Sequence, residues 1–154
     1  MLFVDYLTLL PPAGIPAPPI RDRDADLGRH IADRLVAETA AAAEETGCVL
    51  VPAAVLSREH HAWSAAPWTV GPGLPWPRRP APLHPNAAGM AAVAGLVVAV
   101  LVTLNLLRSR VGRAFMAIRE HDIAARAMGV DLVRWKLLAF MVSAFYTGIA
   151  GGLL

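Results

Sequence analysis

No charged side chain occurs between Arg79 and Arg108, and within that interval Ala87 to Leu104 reads AAGMAAVAGLVVAVLVTL, almost wholly apolar. A helix rises about 1.5 Å per residue, so such a run reaches the roughly 30 Å of a bilayer's hydrocarbon core. A helix of this kind is either buried on all sides by protein or set in lipid, and the many alanines and glycines here keep both options open. A second charge-free run, LLAFMVSAFYTGIAGGLL, follows Lys136 and continues to the last residue. Between the two, Arg108 to Lys136 carries seven Lys+Arg against three Asp+Glu. Spans over about 87–106 and 137–154, joined by a basic loop over 107–136, predict a membrane hairpin. Excess arginine places that loop on the cytoplasmic side.

Charge divides the chain as well. Through Pro85 there are seven Lys+Arg against nine Asp+Glu, a net of −2, whereas from Asn86 onward seven face three, a net of +4. The overall +2 therefore describes neither half. The arginines of the second half belong to the loop, and no aromatic interleaving accompanies them, so nucleic-acid binding is not expected. A single cysteine, Cys48, excludes an internal disulfide and a cysteine-based zinc site.

The first half reads as α/β. Met1 to Leu7 has no basic residues ahead of its apolar ones and is soon ended by Pro11-Pro12, which suits a buried strand better than a signal peptide. Phe3, Val4, Tyr6 and Leu7 are its core candidates. After a proline-rich loop, Arg21 to Thr46 fits one amphipathic helix with Leu27, Ile31, Leu35 and Ala42 as the apolar stripe; Asp22 and Asp24 favour its start and Gly47 its stop. Cys48 to Val51 follows as a buried strand, completing a βαβ unit and predicting a parallel sheet. One such unit cannot cover both faces of a sheet, so part of that domain is expected to be missing. The ending at Gly151-Gly152-Leu153-Leu154, without an interfacial anchor, likewise reads as a truncation. From Ser57 to Pro85 the chain is loop-like, with seven prolines and Trp63, Trp68 and Trp76. His60, His61 and His84 lie there without acidic or cysteine partners at ligand spacing, so no metal or cofactor is expected.

Two resemblances emerge. The run Ser57-Arg58-Glu59-His60-His61-Ala62-Trp63-Ser64, then Pro67-Trp68-Thr69, then Pro82-Leu83-His84-Pro85-Asn86-Ala87-Ala88-Gly89-Met90, resembles the C-terminal part of actinobacterial SGNH-family hydrolases, the GDSL-like lipases and esterases. The likeness extends over about residues 1–98. It implies a flavodoxin-like fold and makes His84 the candidate general base of a serine esterase. Two departures argue against activity. Ala81 stands where the family usually has an orienting aspartate, and the Gly-Asp-Ser nucleophile block with its oxyanion donors is absent. Ser57 and Ser64 read as ordinary loop serines rather than substitutes.

The second covers about residues 99–154. Asn105-Leu106-Leu107-Arg108-Ser109-Arg110-Val111-Gly112-Arg113-Ala114-Phe115-Met116-Ala117-Ile118-Arg119-Glu120 continues as His121-Asp122-Ile123-Ala124-Ala125-Arg126-Ala127-Met128-Gly129-Val130 and on to Gly148-Ile149-Ala150-Gly151-Gly152. This resembles the inner-membrane permease of branched-chain amino acid ABC transporters. The resemblance implies a multi-pass protein of the inner (plasma) membrane, with an ABC ATPase subunit and a second permease subunit as partners. Its cytoplasmic loop would hold a short coupling helix, Ala117 to Met128, ended by Gly129. Arg113, Arg119, Glu120, Asp122, Arg126 and Gly129 are the residues the resemblance assigns to that loop. Gly148, Gly151 and Gly152 suit close helix packing.

The expected fold is therefore mainly α with a small α/β part: a truncated flavodoxin-like βαβ remnant, then two membrane-type helices joined by a coupling helix. The expected function is a fragment of a permease for branched-chain amino acid uptake. The alternatives are a remnant SGNH-type esterase and a non-functional fusion of two gene fragments meeting between Met90 and Asn105.

Overall fold

The computed structural model describes residues 1–73 and 81–153, so Trp76 of the aromatic loop and the terminal Leu154 lie outside it. The chain is mostly helical and divides into two compact units, Met1–Val98 and Ala99–Leu154.

In the first unit, β1 (Leu2–Val4) and β2 (Val49–Val51) pair in parallel with Leu2 opposite Val49 and Val4 opposite Val51, linked by α1 (Asp22–Glu45). The expected βαβ unit is present. Only these two strands occur in a sheet among the described residues, so the sheet by itself does not establish the flavodoxin-like remnant that the first resemblance implied. Helix α1 starts and stops where its sequence asks. Asp22 and Asp24 occupy its first turn, and Gly47, at a φ of 63°, reverses the chain while Cys48 N donates to Ala43 O at 2.8 Å.

Its inward face differs from the expected one. Leu27, Ile31 and Leu35 are 58%, 50% and 44% exposed, while Ala25 and Ala43 are buried. At Gly28 the helix comes close to the chain leaving β1: a Cβ there would stand 2.8 Å from Leu10 Cδ1, so small side chains are the ones accommodated without movement of Leu10. The strand expectations need a similar correction: Phe3 and Leu7 are half-buried, but Val4 and Tyr6 are exposed, and of Cys48 to Val51 only Val51 is buried. A two-stranded sheet has too little area to shelter both faces.

Polar contacts tie the unit together across long stretches of chain. A four-residue helix, α2 (Ala53–Leu56), follows β2. Buried Asp5 accepts from Ala54 N at 2.8 Å, and the fully buried Ser57 Oγ accepts from Thr8 N at 2.8 Å while lying 2.7 Å from Ala53 O. Thr8 Oγ1 donates to Ala54 O at 2.7 Å. Ser57 is thus a structural residue, as an ordinary loop serine would be.

Helix α3 (Ala87–Arg108) runs through the unit boundary; the second unit continues with α4 (Arg110–Glu120), α5 (Asp122–Ala127) and α6 (Leu132–Leu153). At 22 residues, α3 is about 33 Å long. It is the one helix among the described residues that passes as long and apolar enough to cross a membrane, and none of its apolar window is buried within the chain. Within the described residues, then, nothing shelters α3 on all sides.

Replacing Ser57 with alanine leaves the Thr8 amide without its acceptor in a dry site. The expected loss is about 1–3 kcal/mol of stability in the first unit, measured by urea unfolding of the detergent-solubilised chain followed by tryptophan emission.

Candidate functional site

Three sets of residues carry candidate function: the turn around His84, the loop helices α4 and α5, and the apolar helices that flank them.

The His84 turn is built on its neighbours' backbone. Thr69 and Pro85 form an antiparallel bridge, Val70 N donates to His84 O at 2.8 Å, and Leu83 N donates to Val70 O at 2.9 Å. Asn86 then starts α3. Its Oδ1 accepts from Gly89 N at 2.9 Å, and its Nδ2 donates to Pro67 O at 2.6 Å. A Cβ at Gly89 would run into the Trp68 carbonyl, so glycine is required for this approach. Asn86 and Gly89 of the His-Pro-Asn-x-x-Gly block are therefore accounted for by helix capping and packing. His84 itself is exposed, with Nδ1 3.2 Å from Pro82 O. No serine hydroxyl is hydrogen-bonded to it among the described residues. A groove of about 440 Å³ nearby is lined by Leu9, Leu10, Ala32, Val36 and Leu83, and its wall hydroxyls are those of Tyr6 and Thr8.

The other loop histidines are structural neighbours of the tryptophans. His60 stacks on buried Trp68 with ring centroids 4.4 Å apart, its Nδ1 2.7 Å from Ala66 O. His61 Nδ1 accepts from Trp63 N at 3.2 Å. Burial holds the His61 imidazole below its ordinary value, with the Glu59 carboxylate pulling the opposite way. No group of three His, Cys, Asp or Glu gathers at a metal-holding spacing among the described residues.

In the second unit the turn from α3 to α4 is tight. Ser109 Oγ accepts from Val111 N at 3.1 Å and Gly112 N at 3.5 Å, while a Cβ at Gly112 would strike the Leu106 and Leu107 carbonyls. The expected single helix from Ala117 to Met128 is instead two. His121, at φ −157° and ψ 98°, is extended and separates α4 from α5. Asp122, opening α5, lies 3.8 Å from Lys136 Nζ of α6. Gly129 does end the segment, at a φ of 84°, with Val130 N on Ala125 O.

Arg113, Arg119, Glu120, Asp122 and Arg126 are all exposed, Arg113 donating to Arg108 O at 3.3 Å. Beside them stand two residues that sequence reasoning passed over: Ile123 and Met128 are 80% and 84% exposed. Nothing in the sequence marked them, since only the structure shows that Ala125 is the one buried position of α5. Phe115 of α4 meets Trp135 of α6 edge-on at 6.2 Å.

Helices α3 and α6 are clasped by a hydrogen bond, 2.5 Å between Thr103 Oγ1 and Tyr146 Oη. Thr103 is one of very few polar residues in its apolar run, which could have marked it. Gly148 and Gly151 meet nothing among the described residues, so neither packs a helix within this chain; the surroundings of Gly152 lie outside the described residues.

Comparison with known proteins covers much of this architecture. The family model described as branched-chain amino acid transport system / permease component matches residues 34–154. That range takes in all of α3 to α6 and also begins inside α1, within the segment expected to be hydrolase-like. The LivM permease protein of high-affinity branched-chain amino acid transport is 42% identical over 64 residues, both in Salmonella typhimurium and in Escherichia coli, covering 42% of this chain and 15% of LivM. The L-arabinose transport system permease protein AraH of Escherichia coli is 37% identical over 70 residues, 44% of this chain and 21% of AraH. The chain thus spans under a quarter of the length of these relatives. No solved structure gives a significant match.

Two outcomes are expected here. Tyr146→Phe removes the clasp between α3 and α6 and should lower the melting midpoint in micelles by an amount equivalent to about 1 kcal/mol. For His61 the folded state favours the neutral ring, so below about pH 6.5 the unfolded chain takes up a proton that the folded one resists. Stability should fall as the pH drops through about 6.5 and below, and His61→Gln should flatten that slope.

Proposed function

The chain belongs to the branched-chain amino acid transport permease family, and on that premise we propose that it is a segment of an ABC permease for branched-chain amino acid uptake. In this reading α3 and α6 cross the inner membrane as a hairpin, residues 107–136 face the cytoplasm, and α5 with the end of α4 docks on an ATP-hydrolysing subunit. The observation that carries it is the family match running through α3 to α6, together with a broken, exposed loop segment between two apolar helices. Ile123 and Met128 offer apolar knobs to a partner groove, with Arg119, Glu120 and Arg126 around them to fix orientation. Outward-facing Gly148 and Gly151 suit close approach by a helix of a second permease subunit. The substrate rests on the family description and on LivM, since AraH is named for L-arabinose.

Two results test this reading. The chain should stay with membranes through alkaline carbonate extraction. In cells carrying the transporter's ATPase subunit, a cysteine placed at Ile123 should cross-link to that subunit, and Ile123→Asp should lose co-purification while keeping membrane insertion. Recovery of the chain as a soluble monomer overturns the proposal.

The resting place of His84 Nδ1 near the Pro82 carbonyl favours a second reading, a remnant SGNH-type esterase in which a carbonyl rather than an aspartate orients the ring. It requires turnover of a short-chain nitrophenyl ester that disappears in His84→Ala. A fusion of gene fragments is the third: the two compact units divide at Val98 and Ala99, inside the Met90 to Asn105 stretch, while the family match takes in that stretch whole. Contiguous genomic DNA across it decides.

A further inference from the structure

The arginines at the foot of α3 stand apart from Ile123 and Met128, at the opposite end of α4 from α5. Arg108 ends α3, Arg110 opens α4, and Arg113 follows less than one turn later. All three are exposed, and among the described residues none pairs with a carboxylate. The tight turn at Ser109 and Gly112 fixes their spacing, and Arg113 Nη1 lies against the Arg108 carbonyl at 3.3 Å. The acids of this loop are placed elsewhere. Glu120 is at the far end of α4, Asp122 faces Lys136, and Asp131 accepts from Arg134 N at the start of α6. The carbonyl end of α3 carries about half a negative charge, which offsets only a small part of three cations.

Position gives this uncompensated charge its meaning. It stands where a helix of membrane-spanning length and composition ends, and Trp135, a residue type concentrated at the headgroup level, packs on Phe115 in the same unit. Guanidinium groups bind phosphate through paired N–H donors. We propose that Arg108, Arg110 and Arg113 form a binding site for the phosphate of an anionic phospholipid headgroup at the cytoplasmic surface. This rests on the reading of α3 as a span with residues 107–136 cytoplasmic. The site holds the foot of α3 and the start of α4 at the bilayer surface and leaves α5 free for its partner.

The test uses the full chain in neutral detergent micelles, with retained lipid counted by native mass spectrometry after addition of phosphatidylglycerol or phosphatidylcholine. Phosphatidylglycerol should be retained in preference, and R108Q/R110Q should weaken its binding by roughly five-fold for each arginine removed. Arg113 is left in place because it also meets the end of α3. R108K/R110K should restore part of the preference, which separates lost charge from lost folding. R119Q/R126Q, with the same change in net charge, should leave it intact. Equal retention of the two lipids, or equal losses in R108Q/R110Q and R119Q/R126Q, overturns the site. Displacement of phosphatidylglycerol by millimolar inorganic phosphate assigns the cluster to free phosphate and overturns the lipid proposal. A chain extracted by alkaline carbonate refutes the permease reading itself, whereas an inserted chain without headgroup preference refutes only the lipid site.

Discussion

A hydrogen in place of a Cβ at position 112 is what lets α4 begin beside the end of α3. Any larger residue would meet the Leu106 and Leu107 carbonyls, which are backbone and cannot swing aside. With glycine there and Ser109 supplying the first amides with an acceptor, the chain leaves α3 and re-enters helix after a single residue. The consequences run outward through the second unit. Phe115 reaches Trp135, α5 lies where Asp122 can face Lys136, and α6 is set to meet α3 at Thr103 and Tyr146. Each later contact is individually weak: an exposed ion pair contributes little, and an interhelical hydroxyl bond in lipid about 1 kcal/mol. Their joint geometry depends on the turn that precedes them.

The first unit uses the same device at a different place. Gly89 lies against the Trp68 carbonyl as Gly112 lies against the end of α3, and Asn86 caps there as Ser109 caps in the loop. In both, a short polar side chain satisfies helix amides while a glycine three residues on permits backbone contact. The His-Pro-Asn-x-x-Gly block owes two of its defined residues to this requirement, whatever chemistry His84 performs.

Much of this was legible in the residues, and the failures share a cause. The limits of α1, the parallel pairing around it and the stop at Gly129 are local matters, set by acidic first turns, β-branched runs and glycines with positive φ. The inner face of α1 was not local. Its period-3.6 pattern places leucines and alanines on different faces, and which face turns inward depends on what the rest of the unit brings against the helix, as Leu10 is brought against Gly28. The break at His121 was hidden for a similar reason. Nothing in Glu120-His121-Asp122 forbids a helix, and the Lys136 side chain that faces Asp122 just past the break lies fourteen residues beyond it. Of the site, the charged loop residues could be named in advance, but the exposed Ile123 and Met128 could not, because a hydrophobic residue announces burial until a structure shows that its helix has only one buried position.

The core of the first unit consists of Ala17, Ala25, Ala43, Val51, Ala53, Ala62 and Trp68. Alanine has no rotamers to lose, so ordering this interior costs almost nothing in side-chain entropy, while each methyl removed from water contributes less than 1 kcal/mol. Such a core gains by closeness and not by area. Apart from Trp68 it also has few side chains long enough to rearrange, so an added methylene finds little slack to take it up. The interior that is cheapest to assemble is here the one least able to accommodate change.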